Sequence, residues 1–314
     1  MPDKNSNSDP RSAAVRVPAS TSNLGAGFDC FGLALQLYLT VRATADFQSP
    51  VDCVVSVGDG PENAKLPLAA ENLIYRAMAY AADREKLALP PVQLHIDNEI
   101  PISRGLGGSA AAIIAGIKLF ESLCNRSLSD ERALQYANEL EGHADNAAAS
   151  LLGGFVVNCI AEQGEVIALR RPWPEEIKIV VVIPELHLDT KLARAALANE
   201  VSHSDAVFNL QRAALFTAAL AERRYDLLWE AMQDRLHQQK RSRLVPGLAE
   251  ALATPRMPGL LGLALSGAGP SIVALAQNRF EEIGDAIARP FEQHGIKTRV
   301  LQLEIDAAGC RIVS

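Results

Sequence analysis

Residues 101–111, PISRGLGGSAA, contain the amino acids best suited to chemistry in this chain. Three glycines, Gly105, Gly107 and Gly108, precede Ser109 and a run of good helix formers. Glycine lets backbone N–H groups approach a ligand closely, and a helix that begins at or just after Ser109 would direct its free N–H groups at the loop. The segment therefore predicts an anion site, and phosphate is the usual anion there. A plain glycine turn before a helix is the alternative for this loop taken alone.

The loop is not one of two familiar phosphate-binding types. A Walker A loop is excluded because the segment contains no lysine. The dinucleotide fingerprint GxGxxG does not fit the spacing of the glycines either.

Two further glycine-bearing segments occupy residues 23–32 and 266–271. The first combines Asn23 and Asp29 with three glycines, and the second, SGAGPS, lies between two apolar runs. A hairpin turn alone would explain the second segment. Three such turns, each beside small hydroxyl or amide residues, are better explained by a ligand that they share.

A fourth segment, EGHADN, places Glu141, His143, Asp145 and Asn146 together. Magnesium prefers oxygen ligands and usually takes one or two carboxylates beside phosphate oxygens, so Glu141 or Asp145 can serve, with the Ser109 hydroxyl as a companion. A helix cap or a salt-bridge partner is the alternative for either carboxylate. A hydrogen-bonded histidine without a catalytic role is the alternative for His143.

Hydrophobic patterning around these segments predicts strands and helices that alternate along the chain, which is typical of a mixed αβ class. The predicted strands are 14–18, 37–46, 51–57, 93–96, 153–158, 165–169, 177–183, 260–266, 271–276 and 297–304, with 37–46 and 51–57 paired as neighbours. The predicted helices are 71–86, 109–124, 130–141 (with Ser129 as N-cap), 206–223, 225–239 and 280–294. The segment RRPWPEE, with two prolines and several charges, predicts a domain boundary.

Composition limits the classes of partner. The chain has 314 residues and a formal net charge of −7, which gives no electrostatic support for a nucleic-acid partner. No apolar run approaches the roughly 20 residues of a membrane-spanning helix. The polar N-terminus lacks the apolar core of a secretory signal, and five scattered cysteines without a CxxC predict reduced thiols, so a cytoplasmic protein is expected.

The segments VPASTSNLGAGFDCFGLAL, PISRGLGGSAA, EGHADN and LSGAGPSIVAL resemble, in this order, the motifs of the GHMP kinases, and within that superfamily most closely those of the homoserine kinases. The resemblance implies an α+β fold of two domains: a tail at 1–13, an N-terminal ATP-binding domain at 14–171 of ribosomal-protein-S5-like fold, and a ferredoxin-like C-terminal domain at 172–314. It implies transfer of phosphate from ATP, with Mg²⁺, to the hydroxyl of L-homoserine in threonine biosynthesis. A homodimer is compatible with it.

The resemblance also implies roles for individual residues. Ser109 and Glu141 would hold magnesium, Asn72 would contact adenine, and Arg194 and Arg241 would grip the substrate carboxylate, which suits the two parallel bonds of a guanidinium. A solvated helix position is the alternative for either arginine alone. Asn23, Asp29, His143 and Asn146 would line the amino-acid pocket. The phosphates would be wrapped by Pro101, Ile102, Ser103, Arg104, Gly105, Leu106, Gly107, Gly108, Ser109, Ala110 and Ala111.

The candidate catalytic residues are Asn146, Arg194 and Asp145. Some members of the superfamily use an Asp–Lys pair as base, but the amide of Asn146 cannot take up a proton, so no strong side-chain base is predicted. Asp145 as base is the competing idea. The chain departs from the family at Gln239-Lys240, where Pro-Tyr is usual, and at Ala144 and Ala149, where proline is usual.

Two other functions stay open on the sequence. One is a GHMP kinase for another small alcohol, such as mevalonate, a sugar or an isoprenoid precursor; Asp29 with the two arginines favours a zwitterionic amino acid instead. The other is a sensor that binds ligand without transferring phosphate. The presence of Ser109 and Glu141 argues against a sensor.

Overall fold

The computed structural model describes residues 11–313. The strands are β1 (Ser12–Asn23), β2 (Gly27–Ala45), β3 (Cys53–Val57), β4 (Val92–Asn98), β5 (Phe155–Ile160), β6 (Val166–Arg171), β7 (Lys178–Pro184), β8 (Leu260–Leu265), β9 (Ile272–Ala276), β10 (Thr298–Leu303) and β11 (Arg311–Val313). The α-helices are α1 (Leu73–Glu85), α2 (Gly108–Leu123), α3 (Asp130–Glu141), α4 (Asp145–Leu152), α5 (Thr190–Ala195), α6 (His203–Ala221), α7 (Leu228–Ala231), α8 (Gln238–Arg241), α9 (Leu248–Leu252) and α10 (Phe280–Gln293). Three short 3₁₀ helices cover Asn63–Lys65, Tyr225–Leu227 and Ser242–Leu244.

The first sheet has the strand order β11-β1-β2-β4-β3, and the hairpin β5–β6 joins it through β2. Helix α2 packs against β1 and against α1. It is apolar on nearly every side because it is buried in the hydrophobic core that covers the first sheet. This burial fixes the N-terminal end of α2, and with it the glycine loop, against the edge of the sheet.

One predicted strand pairing is wrong. The strands predicted at 37–46 and 51–57 are not neighbours, because β4 lies between β2 and β3. Strand β3 pairs with β4 in parallel, and a parallel pair needs a long crossover, which α1 supplies.

The second sheet has the order β10-β7-β9-β8 with all neighbours antiparallel. That order, with α6 between its first two strands and α10 between its last two, is the ferredoxin-like arrangement that was expected. The two sheets separate near residue 171, but β11 returns to the first sheet and pairs with β1. The C-terminal residues therefore complete the N-terminal sheet, although the predicted domain division assigned them to the second half.

Two other predictions need correction. The helix expected at 225–239 is divided into a 3₁₀ turn, the short α7, irregular backbone after Ala231 and the start of α8. In the irregular stretch the Asp234 carboxylate accepts the N–H groups of Leu236, His237 and Gln238, which competes with helical hydrogen bonds. Of the tail expected at 1–13, residues 1–10 lie outside the described residues, and Ser12 and Ala13 already belong to β1.

Candidate active site

The glycine loop is held rigidly by its neighbours. The Leu106 carbonyl accepts the N–H of Ser20 at 3.2 Å, and the Gly105 carbonyl accepts the Ser266 hydroxyl at 2.6 Å. Gly107 has a φ of +69°, and a Cβ there would lie 2.1 Å from the Ser20 hydroxyl oxygen, so only glycine fits. Helix α2 begins at Gly108, one residue before Ser109, and its free N–H groups face the loop as predicted.

The other residues of the loop have distinct surroundings. The N–H of Ile102 is bound by the Glu62 carboxylate at 2.9 Å, and the Arg104 carbonyl accepts the N–H of Ser271 at 3.3 Å. Ser103 is exposed and has a φ of +56°. Pro101 at the start of the loop, and Ala110 and Ala111 in the first turn of α2, are buried.

The three glycine-bearing segments meet, as the sequence predicted. The Asn23 amide donates to the Gly267 carbonyl at 3.0 Å, and the Gly267 N–H donates to the Ser22 carbonyl at 3.3 Å. The Ser266 hydroxyl, whose one proton is donated to Gly105, has its oxygen 2.8 Å from the Thr21 hydroxyl oxygen. The end of β1, the loop before α2 and the β8–β9 turn therefore form one surface.

Asp29 and Arg194 form the most regular ion pair of this surface. The two guanidinium nitrogens of Arg194 donate to the two carboxylate oxygens of Asp29 at 3.1 and 2.8 Å. Asp29 has a φ of +54°, and its own N–H is held by the Asn23 side chain at 3.0 Å. The pair is half-buried, so water or a ligand can reach both charges.

Arg241 is buried, with only 1% of its surface exposed. It donates to the Gly267 carbonyl at 3.0 Å and to the Ala193 carbonyl at 3.3 Å, and it forms no ion pair within residues 11–313. Burial, together with the like charge of Arg194, lowers the pKa of Arg241 to about 10, so the group stays cationic at neutral pH. A buried cation without a counter-ion is costly, and a ligand carboxylate would offset that cost.

A network that the sequence analysis missed positions Arg241. His237 is buried, its Nε2 lies 2.9 Å from the Gly25 carbonyl, and its Nδ1 lies 3.4 Å from Arg241. Burial lowers the pKa of His237, so the ring is neutral, donates from Nε2 and presents the Nδ1 lone pair to the arginine. The Phe28 ring stacks on His237 with centroids 5.1 Å apart.

Ser109 and Glu141 lie together, as predicted for a metal pair. The Ser109 hydroxyl donates to one carboxylate oxygen of Glu141, and the second oxygen is buried without a hydrogen-bond partner. Burial raises the pKa of Glu141. An orphaned, buried carboxylate oxygen beside a hydroxyl suits a hard cation that takes its other ligands from phosphate, so this pair fits Mg²⁺.

His143 and Asp145 form a buried ion pair, with Nδ1 and Oδ1 2.8 Å apart. Burial opposes the charged ring, but the hydrogen bond and charge of Asp145 outweigh it and raise the pKa of His143. Burial also acts to raise the pKa of Asp145, yet His143 and the N–H of Asn146 hold it below its usual range. Asp145 is therefore a weak proton acceptor.

Asn146 is paired within the protein. Its amide nitrogen donates to the Ser22 hydroxyl at 2.9 Å, and its amide oxygen accepts the Ser20 hydroxyl at 3.0 Å. These bonds connect α4 to β1 directly beneath the glycine loop. The roles of Ser20 and Ser22 were not predicted, although three consecutive small polar residues in the segment ASTS were a signal for them.

Asn72 is the N-cap of α1. Its side-chain oxygen accepts the N–H of Ile74 at 3.0 Å, and its nitrogen donates to the Pro67 carbonyl at 2.9 Å. Because both ends of the amide are occupied, the structure adds no support for contact with adenine, which stays a prediction. Within residues 11–313, no helix is long and apolar enough to cross a membrane.

The sequence and the fold are similar to those of known proteins. The sequence matches the GHMP kinases N terminal domain over residues 72–154 and the GHMP kinases C terminal domain over 216–293. It is 42% identical to a homoserine kinase of Deinococcus radiodurans, over 95% of this chain and 96% of that protein, and 40% identical to one of Solibacter usitatus, over 94% and 95%. A solved homoserine kinase from Cytophaga hutchinsonii superposes with a TM-score of 0.84 at 25% identity, covering 100% of both chains.

Proposed function

The chain belongs to the homoserine kinases of the GHMP kinase superfamily, and from that premise we propose that it transfers the γ-phosphoryl group of ATP to the hydroxyl of L-homoserine in the cleft described above. The proposal places the nucleotide phosphates at the loop before α2 and the amino acid between Asp29, Arg194 and Arg241. The reaction would break the bond between the γ-phosphorus and its bridging oxygen, so that ADP leaves. The substrate hydroxyl oxygen would form the new bond to phosphorus, and its proton would pass to an oxygen of the transferred phosphoryl group.

The observation that carries the proposal is the buried guanidinium of Arg241. It lies beside Arg194 and forms no ion pair of its own within residues 11–313, which supports a place here for a substrate carboxylate. Asp29 supplies the opposite charge for an ammonium. A zwitterion would therefore replace the Asp29–Arg194 pair with two ion pairs of its own, which a neutral sugar cannot do.

The loop can hold the triphosphate without a lysine. Contacts with β1 and the β8–β9 turn fix the backbone of Gly105, Leu106 and Gly107. The first N–H groups of α2 have no partner within the helix and are free to bind an anion. Magnesium, if held by Ser109 and Glu141, would neutralise charge on the phosphate oxygens. Positioning and electrostatics account for most catalysis in phosphoryl transfer.

The surroundings of Asp145 and Asn146 support transfer without a strong side-chain base. The Asp145 carboxylate is buried, and its pKa is lowered by His143 and the N–H of Asn146. The Asn146 amide is occupied by Ser20 and Ser22. Of the three candidate catalytic residues, we therefore assign Asp145 and Asn146 to positioning and Arg194 to contact with the substrate.

A coupled assay of ADP release tests the proposed function. With ATP and Mg²⁺, L-homoserine should give turnover, whereas mevalonate and galactose should not. L-2-Aminobutyrate, which keeps both charges but lacks the hydroxyl, should inhibit competitively without releasing ADP. Turnover only with mevalonate or a sugar would favour another member of the superfamily, and homoserine binding without turnover would favour a sensor.

Location in the cytoplasm is part of the same proposal. The five cysteines at positions 30, 53, 124, 159 and 310 are all free thiols, which suits a reducing compartment.

A further inference from the structure

Phe28 is an aromatic residue of the site that does not contribute to the packing of the fold. Its side chain is half-buried, and it packs against neither of the two hydrophobic cores formed within residues 11–313. Phe31, by contrast, is buried in the first core, where its ring contacts those of Phe155 and Phe216. Core packing therefore does not explain why a large aromatic side chain lies at the position before Asp29.

The neighbours of the Phe28 ring are charged or polar groups. The guanidinium carbons of Arg241 and Arg194 lie 5.3 and 5.8 Å from the ring centroid, within the range of a cation–π contact. The neutral ring of His237 stacks on the Phe28 ring with an angle of 28° between the two planes. One aromatic ring therefore contacts both of the arginines to which the substrate carboxylate is assigned.

An aromatic ring can stabilise two neighbouring cations in a way that a carboxylate cannot. The like charge of Arg194 acts to lower the pKa of Arg241, because the two guanidinium groups repel each other. The face of a ring attracts a cation, but it has no net charge and leaves the N–H donors in the plane of the guanidinium free. The Phe28 ring thus offsets part of the repulsion and keeps the donors available for a ligand.

We propose that Phe28 is a positioning residue for the amino-acid substrate. Its ring holds the Arg194 and Arg241 guanidinium groups side by side, so that one carboxylate can bind both of them. The inference rests on the proposed function and adds to it a residue that acts on the carboxylate end of the substrate and not on the nucleotide.

Phe28→Leu tests this role, because it removes the aromatic face and keeps an apolar side chain. A cation–π contact with a desolvated cation corresponds to a factor of up to about 30 in binding, so the KM for L-homoserine should rise about 5- to 30-fold. Both kcat and the KM for ATP should change less than about twofold. The unfolding temperature should stay close to that of the parent, since the side chain lies outside both cores.

Phe208→Leu is the matched control. The Phe208 ring also contacts two arginines, Arg212 and Arg235, and neither of them is assigned to the substrate. The control removes the same kind of contact at another place, so it should leave the KM for L-homoserine unchanged.

Fluorinated phenylalanines at position 28 separate the electrostatic effect of the ring from its shape. One, two and three ring fluorines progressively weaken the negative potential of the ring face and change the size of the ring little. The KM for L-homoserine should therefore rise in steps with the number of fluorines, toward the value of Phe28→Leu. A ring that is needed only for packing would give no such trend.

Nuclear magnetic resonance of isotope-labelled arginine gives a readout that does not depend on activity. The guanidinium signals of Arg194 and Arg241 should carry a ring-current shift that Phe28→Leu removes. If the parent failed to phosphorylate L-homoserine, the proposed function would be wrong, whereas these shifts would still show whether Phe28 holds the two arginines.

Four results would overturn the proposal. They are an unchanged KM for L-homoserine in Phe28→Leu, a fluorinated series without a graded change, an equal rise in the KM for ATP, and arginine signals that are the same in the parent and in Phe28→Leu.

Discussion

Replacement of Arg241 by lysine separates the charge of this residue from its shape. The guanidinium reaches the Gly267 and Ala193 carbonyls at the same time, at 3.0 and 3.3 Å, and keeps the rest of the group for substrate. A lysine ammonium is a point charge and cannot span those acceptors while also binding a carboxylate through two parallel bonds. The variant thus keeps the positive charge and loses the planar, bidentate set of guanidinium donors.

The expected loss follows from one charge-assisted hydrogen bond. Such a bond contributes about 1.5–3 kcal/mol, and about 1.4 kcal/mol corresponds to a factor of ten. Arg241→Lys should therefore lower kcat/KM for L-homoserine by about 10- to 150-fold. The KM for ATP should change less than about twofold, because no hydrogen bond joins Arg241 to residues 101–111.

Steady-state kinetics with each substrate varied in turn measures both quantities, and calorimetry of homoserine binding gives the dissociation constant directly. Arg243→Lys is the matched control, because Arg243 is exposed two residues away and should tolerate the change. The reasoning fails if Arg241→Lys leaves the KM for homoserine unchanged, or if it weakens ATP and homoserine equally.

Three further outcomes are expected. Glu141→Gln should raise the Mg²⁺ concentration for half-maximal activity about tenfold or more, since a neutral amide replaces the orphaned carboxylate. The pKa of His143 is raised in the folded protein, so its pairing with Asp145 stabilises the fold fully below pH about 6.5, and this stabilisation is lost as the pH rises through the folded-state pKa. The difference in Tm between the parent and His143→Gln should therefore shrink toward alkaline pH. His237→Gln keeps a donor for Gly25 but removes the acceptor beside Arg241, so it should raise the KM for homoserine several-fold and leave that for ATP unchanged.

Each outcome has a measurement and a contrary result. Magnesium titrations at fixed ATP would contradict the metal assignment if Glu141→Gln needed no more Mg²⁺ for half-maximal activity than the parent. The exposed Glu131→Gln is the control and should match the parent. Thermal unfolding from pH 5 to 9 would contradict the ion pair if the difference between parent and His143→Gln were constant. Kinetics of His237→Gln would contradict the positioning role if both KM values rose together or neither rose.

Local patterns predicted much of this fold. Helix α2 was anticipated to within one residue, because a glycine turn followed by an apolar run is a signal contained in the segment itself. Helix α3 was anticipated with its cap, since the Ser129 hydroxyl does accept the N–H of Arg132. The β5–β6 hairpin was also anticipated, because its strands are close in the sequence.

Non-local contacts account for what was missed. Strand β3 pairs with β4 only after the crossover by α1, and nothing in either strand specifies that partner. The predicted helix fails around Asp234 because hydrogen bonds of the Asp234 carboxylate and of the Asn209 amide, which lie 2.7 Å apart, compete with the helical hydrogen bonds. In the site, the glycine loop and its acidic partner were predictable from their motifs, whereas the His237–Gly25 contact joins segments more than 200 residues apart.

The most direct test of the account is a crystal structure with a non-hydrolysable ATP analogue, Mg²⁺ and L-homoserine. We expect the triphosphate against residues 105–109, the amino-acid carboxylate within about 3 Å of the Arg194 and Arg241 guanidinium groups, and the ammonium at Asp29, so that the hydroxyl faces the γ-phosphate. A triphosphate bound elsewhere, or an amino acid with its carboxylate turned away from both arginines, would contradict the account.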